Sequence, residues 1–242
     1  MITAEIIYKI RLTLSELLED RGYGNRCINT GLSIDDIQII AEEFKTNDSV
    51  LDIFIPAKSF DEEDLTEMGD KNLSNKKVYI KWFSKVEGEK SENLFNKTYD
   101  MISEINGMGR NDDIIFILGD LRFERITDQM KEWVNEKSNV SLFNYKDLLF
   151  NVSRHKYVPK HTKLTKPEIL DLKKTLKLES LVQLPLIEKN DPIARYYGLR
   201  RGDVVKIERC GNIAGLIKEK DNKEKDKIPI DTFKHIFYRL CS

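Results

Sequence analysis

The stretch Asp113-Ile114-Ile115-Phe116-Ile117-Leu118 decides the fold class of the first part of this 242-residue chain. Its five consecutive apolar residues predict a strand that is buried on both faces, as in parallel sheets covered by helices. A second run, Val78 to Phe83, predicts a neighbouring strand, and shorter runs predict strands over Val50 to Ile55 and Val140 to Phe143. Helical spacing occurs before and between these strands. The pattern therefore predicts a layered α/β domain.

Start signals for helices accompany the strands. Ser33 with Asp36 three residues later forms an approximate capping box, and it predicts a helix that runs to Phe44. Asp191 followed by Pro192 predicts a short capped helix near the other end of the chain. Periodic apolar residues predict further helices over residues 2–18, 93–105 and 125–135, and Thr165 predicts the start of one more.

The charge of the chain is divided unevenly. The 40 Lys and Arg nearly balance the 41 Asp and Glu overall, but residues 1–150 hold 19 basic against 29 acidic residues and residues 151–242 hold 21 against 12. Opposite charges in the two halves indicate different partners, or two halves that attract one another. For the basic half, nucleic-acid phosphates and an acidic protein surface stay equally open. The charged run Lys218 to Lys227 predicts a solvated loop.

Several protein classes are not expected. Three cysteines without a CxxC pair indicate neither a disulfide framework nor a zinc ribbon, and they favour a reducing compartment. No apolar run approaches the roughly 18 residues that span a bilayer, and the N-terminus lacks a signal-peptide pattern, so we expect a soluble protein without a membrane partner. His155 and His161 are separated by Pro159, which argues against a metal site that joins them to Cys210.

A nuclease interpretation of the α/β half fails at one residue. Metal-dependent nucleases of the restriction-enzyme kind place an acid at a strand end and an acid-x-Lys triplet on the next strand, because two carboxylates hold the cation. The triplet here is Tyr79-Ile80-Lys81, with a tyrosine at the acid position, and Asp52, Asp112 and Asp113 are explained as strand-end and loop residues. Neither a nucleotide-binding glycine loop nor a Gly-x-Ser-x-Gly elbow is present. The sequence therefore predicts no active site.

A series of motifs in the basic half resembles a known family. The motifs are His155-Lys-Tyr-Val-Pro-Lys-His161, Leu184-Pro185, Asp191-Pro-Ile-Ala-Arg-Tyr-Tyr-Gly198 and Gly202-Asp-Val-Val-Lys-Ile207. Their order is similar to that of the fifth subunit shared by eukaryotic RNA polymerases I, II and III, whose C-terminal part resembles a small subunit of the archaeal polymerase. Asp20-Arg21-Gly22-Tyr23 in the acidic half also resembles the eukaryotic subunit, whereas residues 50–110 match poorly.

The resemblance implies a non-catalytic subunit of a multisubunit DNA-directed RNA polymerase. It implies an α/β jaw domain over residues 1–150, with a nuclease-like fold that lacks catalytic residues, and an α+β assembly domain over residues 151–242 with a charged insertion near 216–232. Implied partners are the largest subunit, neighbouring small subunits, transcription factors and, weakly or indirectly, downstream DNA. No cofactor is implied in this chain, since magnesium belongs to the catalytic subunits. The implied location is the nucleus for a cellular protein, or viral factories and virions for a viral one.

The resemblance also assigns roles to single residues, none of them catalytic or metal-binding. Gly198 and Gly202 allow a tight turn before the strand that contains Val205, and Asp191 caps the helix begun by Pro192. The remaining assignments are a domain joint at His155, Val158, Pro159 and His161, and a surface toward the larger subunit at Arg195, Tyr196, Arg200 and Arg201.

Two alternatives remain from the residues themselves. A free adaptor that binds nucleic acid through the basic half predicts tight, salt-dependent DNA affinity without a polymerase. A stand-alone nuclease predicts metal-dependent DNA cleavage, against which Tyr79 argues.

Overall fold

A computed structural model describes residues 2–23, 32–44, 46–56, 76–84, 91–119, 128–210 and 234–242. The chain divides into two units, the first containing Met1–Asn151 with Arg195–Gly198, and the second containing Val152–Ala194 with Leu199–Ser242. The sequence predicts a single division after residue 150. In addition, the short segment Arg195–Gly198 packs with the first unit. The run Lys218 to Lys227 and the insertion near 216–232 lie outside the described residues.

A four-stranded mixed sheet forms the centre of the first unit. Its strands are β1 (Ile53–Ile55), β2 (Val78–Phe83), β3 (Asp113–Leu118) and β4 (Val140–Asn144), in the spatial order β1-β2-β3-β4. Strands β2, β3 and β4 are parallel, and β1 runs antiparallel to β2. The bounds predicted for β2 and β3 are confirmed. Strand β1 is shorter than predicted, because Asp48–Leu51 forms a 3₁₀ turn that the Asn47 side chain caps.

The described part of the first unit contains the helices α1 (Ala4–Asp20), α2 (Ile34–Glu43), α3 (Ser91–Ile105) and α4 (Asp128–Glu136). The predicted capping box of α2 is confirmed, since Asp36 N donates to Ser33 Oγ (3.1 Å) and Ser33 N donates to Asp36 Oδ2 (2.8 Å). The predicted start of the fourth helix at Arg125 lies outside the described residues. No helix in the described ranges is long and apolar enough to cross a membrane.

Helices cover both faces of this sheet. On one face, Phe83, Phe95, Phe116 and Trp133 form an aromatic cluster in which the Phe116 and Trp133 rings stack with centroids 5.8 Å apart. On the other face, Trp82 contacts Phe44 at the end of α2, which packs against α1. The middle of β3 is fully buried, as its apolar run predicts. The first unit is thus a layered α/β domain.

The second unit has a four-stranded sheet and two helices, an α+β arrangement. Its elements are β5 (Lys160–Lys163), α5 (Lys166–Thr175), β6 (Leu186–Ile187), α6 (Pro192–Tyr196, shared with the first unit at its end), β7 (Val204–Cys210) and β8 (Lys234–Cys241). The strand order is β5-β7-β8-β6, with β7 antiparallel to both β5 and β8 and β6 parallel to β8. Leu172 of α5 packs on Val204 in the core.

Candidate functional site

Arg21, at the end of α1, binds the segment Arg195–Gly198 inside the first unit. Its Nε donates to the Tyr196 carbonyl (2.8 Å) and its Nη2 donates to the Arg195 carbonyl (2.5 Å). The guanidinium also donates to Ser141 Oγ (3.3 Å) and pairs with Asp113 (3.4 Å), while only 2% of the side chain is exposed. A planar guanidinium suits this task, because its fixed fork of donors serves several acceptors at once. Two motifs from opposite ends of the sequence therefore meet at Arg21.

The Tyr196 hydroxyl forms the second attachment of the same segment. It donates to Asp20 Oδ2 (2.7 Å) and accepts from Asn151 Nδ2 (2.8 Å), and this amide also donates to Glu16 Oε2 (2.6 Å). Tyr196 is 2% exposed. A buried hydroxyl needs such partners, since an unpaired one costs about 1–3 kcal/mol.

Arg195 is also held within the first unit. Its Nη1 donates to the Leu142 carbonyl (2.8 Å) and to Asp147 Oδ2 (3.1 Å), and its guanidinium lies over the Phe143 ring. Tyr196 is thus buried in this unit, and Arg195 is half-buried with its guanidinium held by the same unit. Of the four residues expected to face a larger subunit, Arg200 is half-buried and Arg201 is exposed.

The glycines of the turn after α6 have the conformations predicted for them. Gly198 has φ +60° and Gly202 has φ +92°, values that L residues with a side chain rarely adopt. A Cβ atom on Gly198 would lie 3.0 Å from the Arg21 guanidinium, whereas one on Gly202 would meet nothing within 4 Å. Gly198 is therefore constrained by both conformation and space, and Gly202 by conformation alone. Val205, in the strand that follows, is fully buried.

The predicted joint residues begin the second unit with a turn. Val158 N donates to the His155 carbonyl (2.8 Å), and Tyr157 N lies 3.4 Å from His155 Nδ1. His155 is exposed, and Val158 is half-buried. The turn leads the chain into β5, a strand that the sequence does not predict.

His161, on β5, bonds to the backbone. Its Nδ1 donates to the Pro159 carbonyl (2.7 Å). Burial lowers the pKa of His161, and nearby Arg239 adds to the effect, while the Pro159 bond and Asp191 oppose it. His161 therefore favours the neutral form and serves β5 as a structural hydrogen-bond donor.

Asp191 caps α6 as predicted. Its Oδ1 accepts from Ile193 N (2.8 Å) and Ala194 N (3.4 Å), and Pro192 occupies the first helical position. The cap places the fully buried Ala194 at the base of the segment that Arg21 holds.

Sequence reasoning missed a buried lysine, Lys189, close to Arg200 and Arg201. Lys189 is 8% exposed. Burial lowers its pKa to about 8, and the positive charges of Arg200 and Arg201 contribute to the shift. Positive charge is therefore concentrated near the turn that precedes β7. A single lysine after an apolar strand carries no signal in the sequence for such burial.

The three residues of the nuclease interpretation meet in the first unit. Lys81 Nζ pairs with Asp52 Oδ2 (2.7 Å), and the Tyr79 hydroxyl donates to the same oxygen (3.4 Å). Burial raises the pKa of Asp52 and, with the Asp52 charge, raises the pKa of Tyr79 to about 12. Tyr79 is thus neutral at pH 7 and Lys81 neutralises the one carboxylate. Among the residues that the structure describes, no second carboxylate of the kind that a metal-dependent nuclease uses joins this cluster.

The other acids considered as ligands are bound to the backbone or to a cation. Asp112 accepts from Lys77 N (2.8 Å) and Gly109 N (2.6 Å), and Asp113 pairs with Arg21. Within the described ranges, no three His, Cys, Asp or Glu are grouped to hold a metal ion. At Cys210 the structure describes the backbone of the strand but not the side chain.

Comparison with known proteins matches part of this chain to one protein family. Residues 150–218 match the family model "RNA polymerase Rpb5, C-terminal domain". The chain is 42% identical over 106 residues to "DNA-directed RNA polymerases I, II, and III subunit rpabc1" of Dictyostelium discoideum, covering 44% of each protein. It is 46% identical over 69 residues to subunit RPABC1 of Caenorhabditis elegans and of Caenorhabditis briggsae, covering 28% of this chain and 32% of each relative.

These alignments span less than half the length of the curated relatives. The family recognised from the motifs is nevertheless confirmed for the matched part. Every residue to which the motifs assigned a joint or assembly role lies inside residues 150–218.

Proposed function

Because residues 150–218 carry an Rpb5 C-terminal domain, we propose that this chain is a non-catalytic, Rpb5-like subunit of a multisubunit DNA-directed RNA polymerase. The observation that carries the proposal is this match, supported by the roles of its motif residues. Asp191 caps α6, Gly198 leaves room for Arg21, and Gly202 turns the chain toward β7. All three roles are structural, as expected of a subunit that assembles.

The second unit is the proposed assembly domain, which docks on the largest subunit beside neighbouring small subunits. Exposed Arg201 and half-buried Arg200 are the candidates for this contact. Clustered arginine suits an interface, since arginine is enriched where partners bind. Transcription factors are further candidate partners.

The first unit is the proposed jaw domain near downstream DNA, with a nuclease-like fold that lacks nuclease chemistry. Support comes from its mixed sheet, covered by helices on both faces, and from Tyr79 at the acid position beside Asp52 and Lys81. The excess of acidic over basic residues in 1–150 argues against tight DNA binding by this unit alone, because phosphate contacts need cations. Proximity to DNA inside an assembled enzyme does not require such affinity.

Catalysis is assigned to other chains of the polymerase. We propose that this chain holds no cofactor and that the magnesium ions of nucleotide transfer belong to the catalytic subunits. Its location is the nucleus in a cellular host, or viral factories and virions for a virus that encodes its own polymerase.

Affinity purification of variants from the native cells tests the proposal. The Arg200→Glu/Arg201→Glu double variant reverses the charge of the candidate contact, and Lys97→Glu reverses an exposed charge on α3 of the first unit as the matched control. After high-salt washing and nuclease treatment, quantitative mass spectrometry measures the largest polymerase subunit per tagged chain. We expect full recovery with the wild type and Lys97→Glu, and a loss of several-fold with the double variant.

The alternatives give different outcomes in the same material. Tight DNA binding by the purified chain, without polymerase subunits, would replace the proposal with a free nucleic-acid adaptor. Metal-dependent cleavage of DNA would replace it with a nuclease, against which Tyr79 argues.

A further inference from the structure

Helix α5 and the turn after it present a surface of lysines and exposed leucines. Residues three and four apart share one side of a helix, so Lys166, Leu170, Lys173 and Lys174 lie along one side of α5. Leu170 is 60% exposed. The turn adds Leu176, which is 47% exposed, and a further lysine. We call the following residues the α5 surface: Lys166, Leu170, Lys173, Lys174, Leu176 and Lys177.

The acids of the second unit are largely engaged elsewhere. In its described ranges, seven Asp and Glu accompany 15 Lys and Arg. Glu168 bonds to Thr165 at the start of α5, and Asp203 pairs with Lys163 (2.6 Å). Of the other acids outside α5, Asp191 caps α6 and Glu208 pairs with Lys206, while Glu188 and Glu179, which follows Lys177 by two residues, are exposed.

Among the described residues, the lysines of the α5 surface meet little opposing charge. Asp171 reaches Lys174 at 3.9 Å, and both side chains are about four-fifths exposed. A pair of that kind contributes little in water. The α5 surface is therefore positively charged around two exposed leucines.

Lys177 adopts a backbone conformation that is strained for a residue with a side chain. It ends α5 with φ +52°, and Leu178 N donates to the Lys173 carbonyl (2.9 Å) while Lys177 N donates to the Lys174 carbonyl (3.2 Å). This is a Schellman ending, in which glycine usually occupies the left-handed position. Among the described residues, Lys177 is the one non-glycine with positive φ. Lysine there weakens the fold relative to glycine, and strained positions of this kind occur at functional sites.

We propose that the α5 surface binds an acidic segment of another protein that also carries apolar side chains. The lysines complement its carboxylates, and Leu170 and Leu176 bury its apolar residues. A nucleic-acid backbone fits less well, because phosphates and sugars offer no apolar groups to exposed leucines. Lys177 retains its strained conformation because its ammonium contributes to this contact. The proposal does not depend on the polymerase assignment and is tested on the purified 242-residue chain.

The test measures stability and binding of the same variants. The probe is a fluorescein-labelled synthetic peptide that repeats Glu-Glu-Leu-Leu, and fluorescence anisotropy measures its binding. A leucine-free polyglutamate and a DNA duplex are the comparison ligands. Variants are Lys177→Gly and Lys173→Gln/Lys174→Gln, and Lys156→Gln is the matched control, an exposed lysine before β5. Melting of the second unit is followed by hydrogen exchange of β7 and β8 at increasing temperature.

We expect Lys177→Gly to raise the melting temperature by about 2–4 °C, because it removes the left-handed strain. The same variant should weaken peptide binding about threefold, as loss of one surface charge pair does. The double variant should weaken binding further, polyglutamate should bind more weakly than the leucine peptide, and Lys156→Gln should match the wild type.

Two results would overturn the proposal. The first is that the wild type does not bind the leucine peptide, or that Lys177→Gly and Lys173→Gln/Lys174→Gln bind it as tightly as the wild type does. The second is duplex DNA binding tighter than the leucine peptide and lost in the same variants, which would assign the α5 surface to nucleic acid.

Discussion

Replacing Arg21 with methionine should strongly destabilise the first unit. Methionine has a similar length but donates no hydrogen bond. Arg21→Met therefore removes the hydrogen bonds to the Arg195 and Tyr196 carbonyls and the positive charge beside Asp113. The Arg21 side chain is 2% exposed and that of Asp113 is 13% exposed, so water replaces little of this loss. Breaking a buried ion pair from one side costs about 3–5 kcal/mol, and we expect a loss of that size in the free energy of unfolding.

Tryptophan fluorescence during urea unfolding isolates the response of this unit. The sequence has two tryptophans, and both Trp82 and Trp133 are buried in the first unit. With a urea dependence of about 2 kcal/mol/M, the transition midpoint of Arg21→Met should fall by about 2 M. Arg21→Lys should lie between Arg21→Met and the wild type, because an ammonium keeps the charge but lacks the planar fork of donors.

The matched control is Lys97→Met, which removes an exposed cation from α3 of the same unit. Its free energy of unfolding should stay within about 0.5 kcal/mol of the wild type. An Arg21→Met variant with an equally small change would refute the conclusion that Arg21 holds the segment Arg195–Gly198.

Three further results follow from the contacts described above. Gly198→Ala should cost about 2 kcal/mol in the tryptophan assay, because alanine is strained at positive φ and its Cβ would press on the Arg21 guanidinium; an unchanged midpoint would contradict this. Lys81→Met should cost about 3 kcal/mol by leaving the Asp52 carboxylate buried without its cation, and adding Asp52→Asn should recover much of the loss. His161 should titrate below 6.5 by NMR. Because the unfolded chain then binds more protons than the folded chain, the second unit should lose stability as pH falls from 6.5 through the folded pKa. A His161 titration midpoint above 6.5 would contradict this prediction.

Local signals in the sequence predict those parts of the fold that depend on neighbouring residues. The apolar runs over Val78–Phe83 and Asp113–Leu118 give the bounds of β2 and β3, because strands buried on both faces need uninterrupted apolar residues. The pair Ser33 and Asp36 predicts the start of α2, because a capping box is formed by residues only three positions apart.

The structure departs from the sequence predictions where distant residues decide the conformation. Lys160–Lys163 forms β5 although its residues are mostly polar and exposed, because its strand character comes from pairing with β7. Leu51 continues an apolar run but belongs to a 3₁₀ turn, which the Asn47 cap favours. The capture of Arg195–Gly198 by Arg21 joins positions about 175 residues apart, and no spacing rule reaches that far.

The resemblance to the polymerase-subunit family located the candidate site more closely than the hydrophobic and charge patterns did. Asp20, Arg21 and Tyr196 belong to motifs, far apart in the sequence, that resemble the family. The structure joins them by hydrogen bonds. Lys189 carried no signal of either kind, because its burial depends on how β6 and the turn before β7 pack.

Stoichiometry of the wild-type chain in its native cells tests the central claim most directly. A tagged copy is expressed at its natural level, purified after nuclease treatment and high-salt washing, and separated by size, and quantitative mass spectrometry then counts each co-purifying protein. We expect the chain to migrate with the two largest RNA polymerase subunits at one copy of each. Migration of the chain alone, with neither large subunit in its fractions, would contradict the assignment as a polymerase subunit.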